Sequence, residues 1–365
     1  MTCGDWGGVE GGSQGGSGVP VEGGQDGICG GTPGSTMSPG GMAAGRRFRG
    51  NAWLLALLFL VACHPRPEEG PTPGVGPVPA APERDRIVLL HDSDTHFHDN
   101  HRAQVRAFVE SVRGAGVPVF LLSSGDFLVR HEAGWPEGEG IGGYQRMGRT
   151  MLERMGEMGY DVATPGNHDI YPLGSLTREL LESAPFPLIA ANLRVETALL
   201  PPFPPYHLLE TAGGRTVAVL GLATVNFDPP EGLEMLDLEE VVASHLGLAQ
   251  THDALVLLSH LGIRPDLDLA IQFPEVDAIL GGHTHTLLPE AVQVNGVLVA
   301  HPGGQDHRAP DPETAALMGV VVLEFEGADL VERCGWVLAI GPEGPRPTGR
   351  FTGSGLGWEA PVPSC

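Results

Sequence analysis

The segment Ile87-Val88-Leu89-Leu90-His91-Asp92-Ser93-Asp94-Thr95-His96 sets a short apolar run directly against a group of metal-ligating side chains. Ile87–Leu90 has the length and β-rich composition of a buried strand. Asp94 and His96 stand where that strand runs out. The pattern recurs downstream. Val117–Leu122 leads to Gly125-Asp126, and Asp161–Thr164 leads to Gly166-Asn167-His168-Asp169. Leu255–Ser259 leads to His260, and Ala278–Leu280 to Gly282-His283-Thr284-His285.

Between these runs lie helical patterns. Ala103–Val112 puts Phe108, Val109 and Val112 on one face, and Tyr144–Met158 aligns Met147, Met151, Met155 and Met158. The methionine stripe reads as core packing. Leu188–Asn192, Val217–Ala223, Val297–Ala300 and Val320–Phe325 are further short, mostly apolar runs. Strands interleaved with helices predict an α/β fold. Ligand sites in such sheets gather beyond the carboxyl ends of the strands. One Asp or His at a strand end is ordinary structure; five polar clusters placed alike predict one convergent site.

The residue types narrow the chemistry. Imidazole suits Zn, Fe, Cu or Ni, and carboxylate favours harder ions such as Mn. A His/Asp/Asn set without cysteine predicts a catalytic metal pair rather than a structural zinc. Glycines beside Asp126, Asn167 and His283 permit tight turns that aim these ligands inward. The remaining histidines, among them His91, His131, His207, His301 and His307, read as surface, core or supporting residues, with His98 the first exception. Gly303-Gly304 is a weak candidate for a turn near the site. Arg130–Gly143 reads equally as a flexible loop at the mouth of the site or as a plain solvent loop.

Composition excludes several function classes. The 21 basic residues are all arginine, so neither P-loop nucleotide hydrolysis nor Schiff-base chemistry has its lysine. A net charge of −24 over 365 residues argues against binding a nucleic-acid duplex or an anionic lipid surface by charge.

The N-terminal 85 residues carry an address. Residues 1–41 are glycine-rich with little to bury, and read as a disordered leader. Arg46, Arg47 and Arg49 precede the apolar run Ala52–Ala62, which is too short to span a bilayer but suits a signal-peptide core. Its ending, Leu60-Val61-Ala62-Cys63, resembles a bacterial lipoprotein signal in which Cys63 takes the lipid. Residues 42–62 are thus expected to be signal peptide, with Met42 or Met37 as the true start. Residues 63–85 follow as lipidated cysteine and Pro/Gly-rich tether. The chain is then extracytoplasmic and anchored to a bacterial membrane, where Cys334 and Cys365 are free to pair or not.

At its motifs the sequence resembles the calcineurin-like metallophosphoesterase superfamily, and is most similar to the catalytic domain of 5′-nucleotidases. Leu89–His96, Gly125-Asp126, Gly166-Asn167-His168-Asp169, Ser259-His260 and Gly282-His283-Thr284-His285 follow in that family's order, over about residues 86–327. The resemblance implies a four-layer α/β/β/α sandwich holding two divalent metal ions (Mn, Zn, Fe or Co). It implies that Asp94, His96 and His285 hold one metal, that Asn167, His260 and His283 hold the other, and that Asp126 bridges them. A metal-activated hydroxide would attack phosphorus, with His168 stabilising the transition state or protonating the leaving group. Two departures stand out. The Asp that commonly follows the catalytic His by three residues is Tyr171 here, leaving the adjacent Asp169 as the candidate partner. Residues 328–365 read as a short extension, too small for the family's substrate domain. The expected substrate is a small phosphorylated molecule: a nucleoside monophosphate, a cyclic nucleotide or a nucleotide-sugar. The alternatives are hydrolysis of a sulfur ester on the same scaffold, or a non-catalytic metal-binding surface lipoprotein.

Overall fold

The computed structural model describes residues 84–98, 100–128, 140–170, 175–198, 200–225, 228–229, 231–305, 313–349 and 365. The leader, signal peptide, Cys63 and all but the last two residues of the tether lie outside these residues, as do Tyr171, His131, His307 and most of the loop after Arg130; Asp85, the tether's last residue, opens β1. In chain order the elements begin with β1 (Asp85–Asp92), α1 (Arg102–Arg113), β2 (Val119–Ser123), α2 (Gly140–Met158), β3 (Val162–Ala163), α3 (Ser175–Glu182) and β4 (Leu193–Val195). Next come β5 (Tyr206–Glu210), β6 (Thr216–Leu222), β7 (Leu233–Met235), α4 (Leu238–His245), α5 (Gly247–Thr251), β8 (Ala254–Ser259) and α6 (Ile263–Gln272). The last are β9 (Ala278–Gly281), β10 (Val292–Val294), β11 (Val297–Ala300), β12 (Ala316–Glu326), β13 (Asp329–Gly341) and β14 (Gly344–Pro347).

Two six-stranded sheets, ordered β14-β13-β12-β1-β2-β3 and β10-β11-β9-β8-β6-β5, carry the domain, with β4 and β7 as a small extra pair. Side-chain alternation along each strand builds the layers. Ile87 and Leu89 of β1 face the second sheet and pack with Val321 and Leu323 of β12, Val219 of β6 and Val256 of β8. Val88 and Leu90 face the other way, against Val105 and Val109 of α1 and Met151 and Met155 of α2. The outer face of the second sheet, with Leu220, Leu257 and Val299, is covered by Val242 of α4 and Leu269 of α6. Helix, sheet, sheet, helix is the layer order the resemblance implies. The core accepts part of the methionine stripe as expected: Met151 and Met155 are buried. α2 starts four residues before Tyr144, and its Gly148 and Gly156 lie where a Cβ would come within 2.6 Å of Leu180 and 2.4 Å of Pro185.

The domain does not stop at Gly327. That glycine (φ 62°) sits in the turn between β12 and β13, and β13 and β14 extend the first sheet by two antiparallel strands. The first half of β13 is largely solvent-facing, which hides the strand from a reading based on apolar runs; Trp336, Leu338 and Ile340 then join the outer core. Cys334 and Cys365 are joined as a disulfide. Among the described residues no helix is long and apolar enough to cross a membrane.

Candidate metal centre

β1, β2 and β3 run parallel, as do β6, β8, β9 and β11, so their carboxyl ends converge. β1 delivers Asp94 and His96, β2 delivers Asp126, β3 delivers Asn167 and His168, β8 delivers His260, and β9 delivers His283 and His285. The turns are sharp. Asp94, His96, Asp126, His283 and His285 all have left-handed backbones, with φ between 49° and 72°. That region is costly for non-glycine residues and concentrates at functional sites. Asp94 N donates to Gly125 O and His96 N to Asp126 O, each at 2.9 Å, locking the first loop onto the second.

The glycines act by close approach. A Cβ on Gly166 would lie 2.1 Å from Asp126 Oδ1 and 2.6 Å from His260 Nε2. One on Gly282 would lie 1.9 Å from Ser93 Oγ, and one on Gly304 would lie 2.5 Å from the Asp94 Cβ. Gly304 therefore does line the centre, and Gln305 N donates to Asp94 O beside it at 2.9 Å.

Three triads offer ligand atoms lying within 4.8 Å of one another: Asp94/His96/His285, Asp126/His260/His283 and His96/Asp126/His168. The first two are groups expected from the sequence, and the structure brings all seven predicted ligands and His168 to the converging strand ends. The donor atoms are aimed. His260 Nδ1 lies 2.5 Å from Ser124 O, so its N–H is committed to that carbonyl and Nε2 turns inward, 3.1 Å from Asp126 Oδ2. Asp94 Oδ2 accepts from Ser93 Oγ at 2.6 Å and from His283 N at 2.9 Å. Its other oxygen, Oδ1, makes no hydrogen bond and lies 3.3 Å from His285 Nε2. Asn167 Oδ1 is likewise buried without a hydrogen bond. His96 Nε2 and His285 Nε2 approach to 3.3 Å. Buried acceptors without donors, turned toward one another, are a poor arrangement for a protein alone and a fitting one for divalent cations.

The electrostatics agree. Burial pushes Asp126 up, but the charges of His260, His96 and His168 outweigh it and hold the carboxyl below its ordinary range. Burial also opposes charge on His260, yet Asp126 and Asp94 hold its imidazole up at about 10. The centre is thus built to be anionic and to draw positive charge into itself.

Two expectations need revision. Asp169 was the candidate partner of His168 in catalysis. Its carboxylate is instead fully buried and filled by main-chain donors: Oδ2 accepts from Asp126 N and Gly166 N, each at 2.7 Å, and Oδ1 from Leu128 N at 2.8 Å. It clamps the Asp126 loop to the Asn167-His168 loop, a positioning role. His98, the first exception among the other histidines, lies beside Asp92 and Asn100 in a small cavity under α1 and is in none of the three triads. Sequence reasoning missed Ser93 and the carbonyls of Ser124 and Leu128, the latter 3.4 Å from His96 Nδ1. A carbonyl leaves no trace in residue identity.

Comparison with known proteins supports this geometry. The family model for calcineurin-like phosphoesterases matches residues 87–287. An uncharacterized metallophosphoesterase, YunD of Bacillus subtilis, is 30% identical over 228 residues, spanning 60% of this chain and 47% of that protein. The crystal structure of a 5′-nucleotidase precursor from Thermus thermophilus superposes with a TM-score of 0.56 at 25% identity, covering 71% of this chain and 55% of that one. The calcineurin-like phosphoesterase YfkN from Bacillus subtilis shares the fold with a TM-score of 0.55 at 18% identity, over 70% of this chain and 91% of that one. The chain spans about half the length of the first two relatives. Matched from the first strand through the last of the candidate ligand loops, the chain belongs to the calcineurin-like phosphoesterase family.

Proposed function

We propose that this chain is a phosphoester hydrolase that works with two divalent cations on a small phosphorylated substrate, a nucleotide being the first candidate. The observation that carries the proposal is the pair of ligand triads, Asp94/His96/His285 and Asp126/His260/His283, set side by side. Asn167, with its unpartnered Oδ1, would complete the second group, and Asp126, which is grouped with His260 and His283 on one side and with His96 on the other, would bridge the two. Cations held there by these residues would supply Lewis-acid polarisation of the phosphoryl oxygens and lower the pKa of a bound water.

The chain's own groups do the rest. Asp126 Oδ1 accepts the His168 main-chain N–H at 2.8 Å and fixes that loop. The His168 ring stands 4.6 Å from the His96 ring, centroid to centroid, at the edge of the ligand cluster. In this reading its Nε2 donates a proton to the departing oxygen, a contribution of roughly 10²–10⁴-fold in such reactions. The 5′-nucleotidases among the relatives motivate the nucleotide assignment. Attachment to a membrane through Cys63, facing an extracytoplasmic space, belongs to the same proposal and rests on the residues around Cys63.

The test uses the purified chain with Mn²⁺ on a chromogenic phosphodiester, AMP, a cyclic nucleotide and a nucleotide-sugar. His168→Asn is expected to keep the bound metal and lose about 100-fold or more in turnover. Loss of metal in that variant identifies His168 as a ligand, as the third triad allows. A metal-loaded parent that hydrolyses no phosphoester overturns the proposal in favour of a sulfur ester or a binding role.

A further inference from the structure

α6 begins three residues after His260, and its first turn holds a carboxylate that faces inward. Asp266 is fully buried, as is Ser259, and His301 is nearly so. Ser259 Oγ donates to Asp266 Oδ1 at 2.5 Å, and His301 Nε2 lies 2.8 Å from Asp266 Oδ2. Ser259 Oγ also accepts from Leu261 N at 3.2 Å. Gly281 lies against the group: a Cβ there would come within 2.1 Å of His301 Nε2 and 2.3 Å of Asp266 Oδ2.

This chain of three side chains spans the carboxyl ends of β8, β9 and β11. Each member adjoins the centre without entering it. Ser259 precedes the ligand His260, and Gly281 stands two residues before His283. His301 leads into Gly304, where a Cβ would come within 2.9 Å of the His285 ring. A buried carboxylate persists only where its hydrogen bonds are complete, so Asp266 ties the end of β8 to the end of β11 through Ser259 and His301, with Gly281 of β9 packed against it. His301 Nδ1 makes no hydrogen bond, as expected if its N–H is on Nε2 and given to Asp266.

We propose that Asp266 is a positioning residue of the metal centre, setting the spacing of the His260 and His283 loops through its bond to Ser259 and its close packing, with His301, against Gly281. The proposal rests on reading the centre as a two-cation site. It concerns a carboxylate that binds no cation and touches no substrate. Asn at this position matches Ser259 but turns an NH₂ toward His301, which must then move its proton to the partnerless Nδ1.

The experiment titrates Co²⁺ into the full chain, reading affinity by calorimetry and ligand geometry by visible absorption. Asp266→Asn is expected to weaken binding at the His260/His283 position roughly 10–100-fold and to change the absorption spectrum, while the Asp94/His96/His285 position, linked only through the step from His301 to Gly304, loses less. Ser259→Ala, which removes one hydroxyl and folds more readily, is expected to shift the same position in the same direction by a smaller factor. Val242→Ala, in the outer core of the second sheet, is a control that lowers stability and leaves both affinities and the spectrum unchanged. Unchanged Co²⁺ affinity and spectrum in folded Asp266→Asn overturn the proposal, and so does an equal loss in Val242→Ala. If Asp266→Asn does not fold, an unchanged Ser259→Ala overturns it. Failure of the underlying reading is distinct: the unsubstituted chain then binds no Co²⁺ pair.

Discussion

Replacing Asp169 by Asn separates positioning from catalysis with one atom. Three main-chain N–H groups, of Asp126, Gly166 and Leu128, point at its two carboxylate oxygens over 2.7–2.8 Å. An amide has one acceptor oxygen. Turned to serve Asp126 and Gly166, it sets an NH₂ against Leu128 N–H; turned the other way, it strands two donors instead of one. A hydrogen bond to a charged group contributes about 1.5–3 kcal/mol, and a buried donor left without a partner costs about 1–3 kcal/mol. The better orientation therefore costs about 2–4 kcal/mol. The loss falls on the two loops that carry Asp126, Asn167 and His168. Urea unfolding followed by circular dichroism is expected to show that deficit, and Mn²⁺ titration a roughly 10–100-fold weaker affinity. Turnover at saturating Mn²⁺ should recover most of the parent value. Parent-like stability and Mn²⁺ affinity with turnover abolished would refute the reasoning and return Asp169 to the reacting groups.

Two further outcomes follow from buried groups near the centre. His91 is fully buried with neither ring nitrogen hydrogen-bonded, and burial, with His301 nearby, holds it down at about 3 against 6.5 ordinarily. It stays neutral in the fold while the unfolded chain takes up a proton, so its contribution is lost as pH falls from 6.5 toward 3. Chelator-treated protein should lose about 1.5 kcal/mol between pH 6.5 and 5 from this group, and urea unfolding of His91→Leu should lack that share while being no less stable at pH 7. Gly282→Ala drives a methyl into Ser93 Oγ and toward Ser124 O. Thermal melting should show a loss of about 1–3 kcal/mol with weaker Mn²⁺ binding, while Gly247→Ala, whose Cβ would meet nothing within 4 Å, stays near the parent.

Much of the fold was legible because a buried parallel strand is written as an unbroken apolar run. Leu255–Ser259 is such a run, buried at every position of β8, and its polar continuation falls where the backbone leaves the sheet. The candidate ligands were legible for the same reason: Asp94, Asp126 and His260 are polar residues placed directly after apolar strands. Strands lacking that contrast were not. β5 alternates with much of its surface exposed, and β13 begins exposed and turns inward only from Gly335. The role of Asp169 was hidden because its partners are main-chain N–H groups, which every sequence supplies. Adjacency to His168 pointed toward the imidazole, whereas the tight turn after β3 directs the carboxylate back to Asp126 N and Leu128 N. The ligand turns were half-visible. Glycine marked Gly125 and Gly166, but the left-handed backbones at Asp94, His96 and His285 belong to residues that do not announce them.

The most direct test of the account is the number of cations the chain binds. The purified chain, treated with chelator and dialysed against Mn²⁺ or Zn²⁺, is analysed for metal by mass spectrometry beside its Asp126→Ala variant. The two-metal proposal predicts two cations per chain in the parent, and weakened retention of both in the variant, because Asp126 belongs to candidate triads on both sides of the centre. One cation or none in the folded parent, or an Asp126→Ala variant that still holds two as tightly, would contradict the two-metal reading.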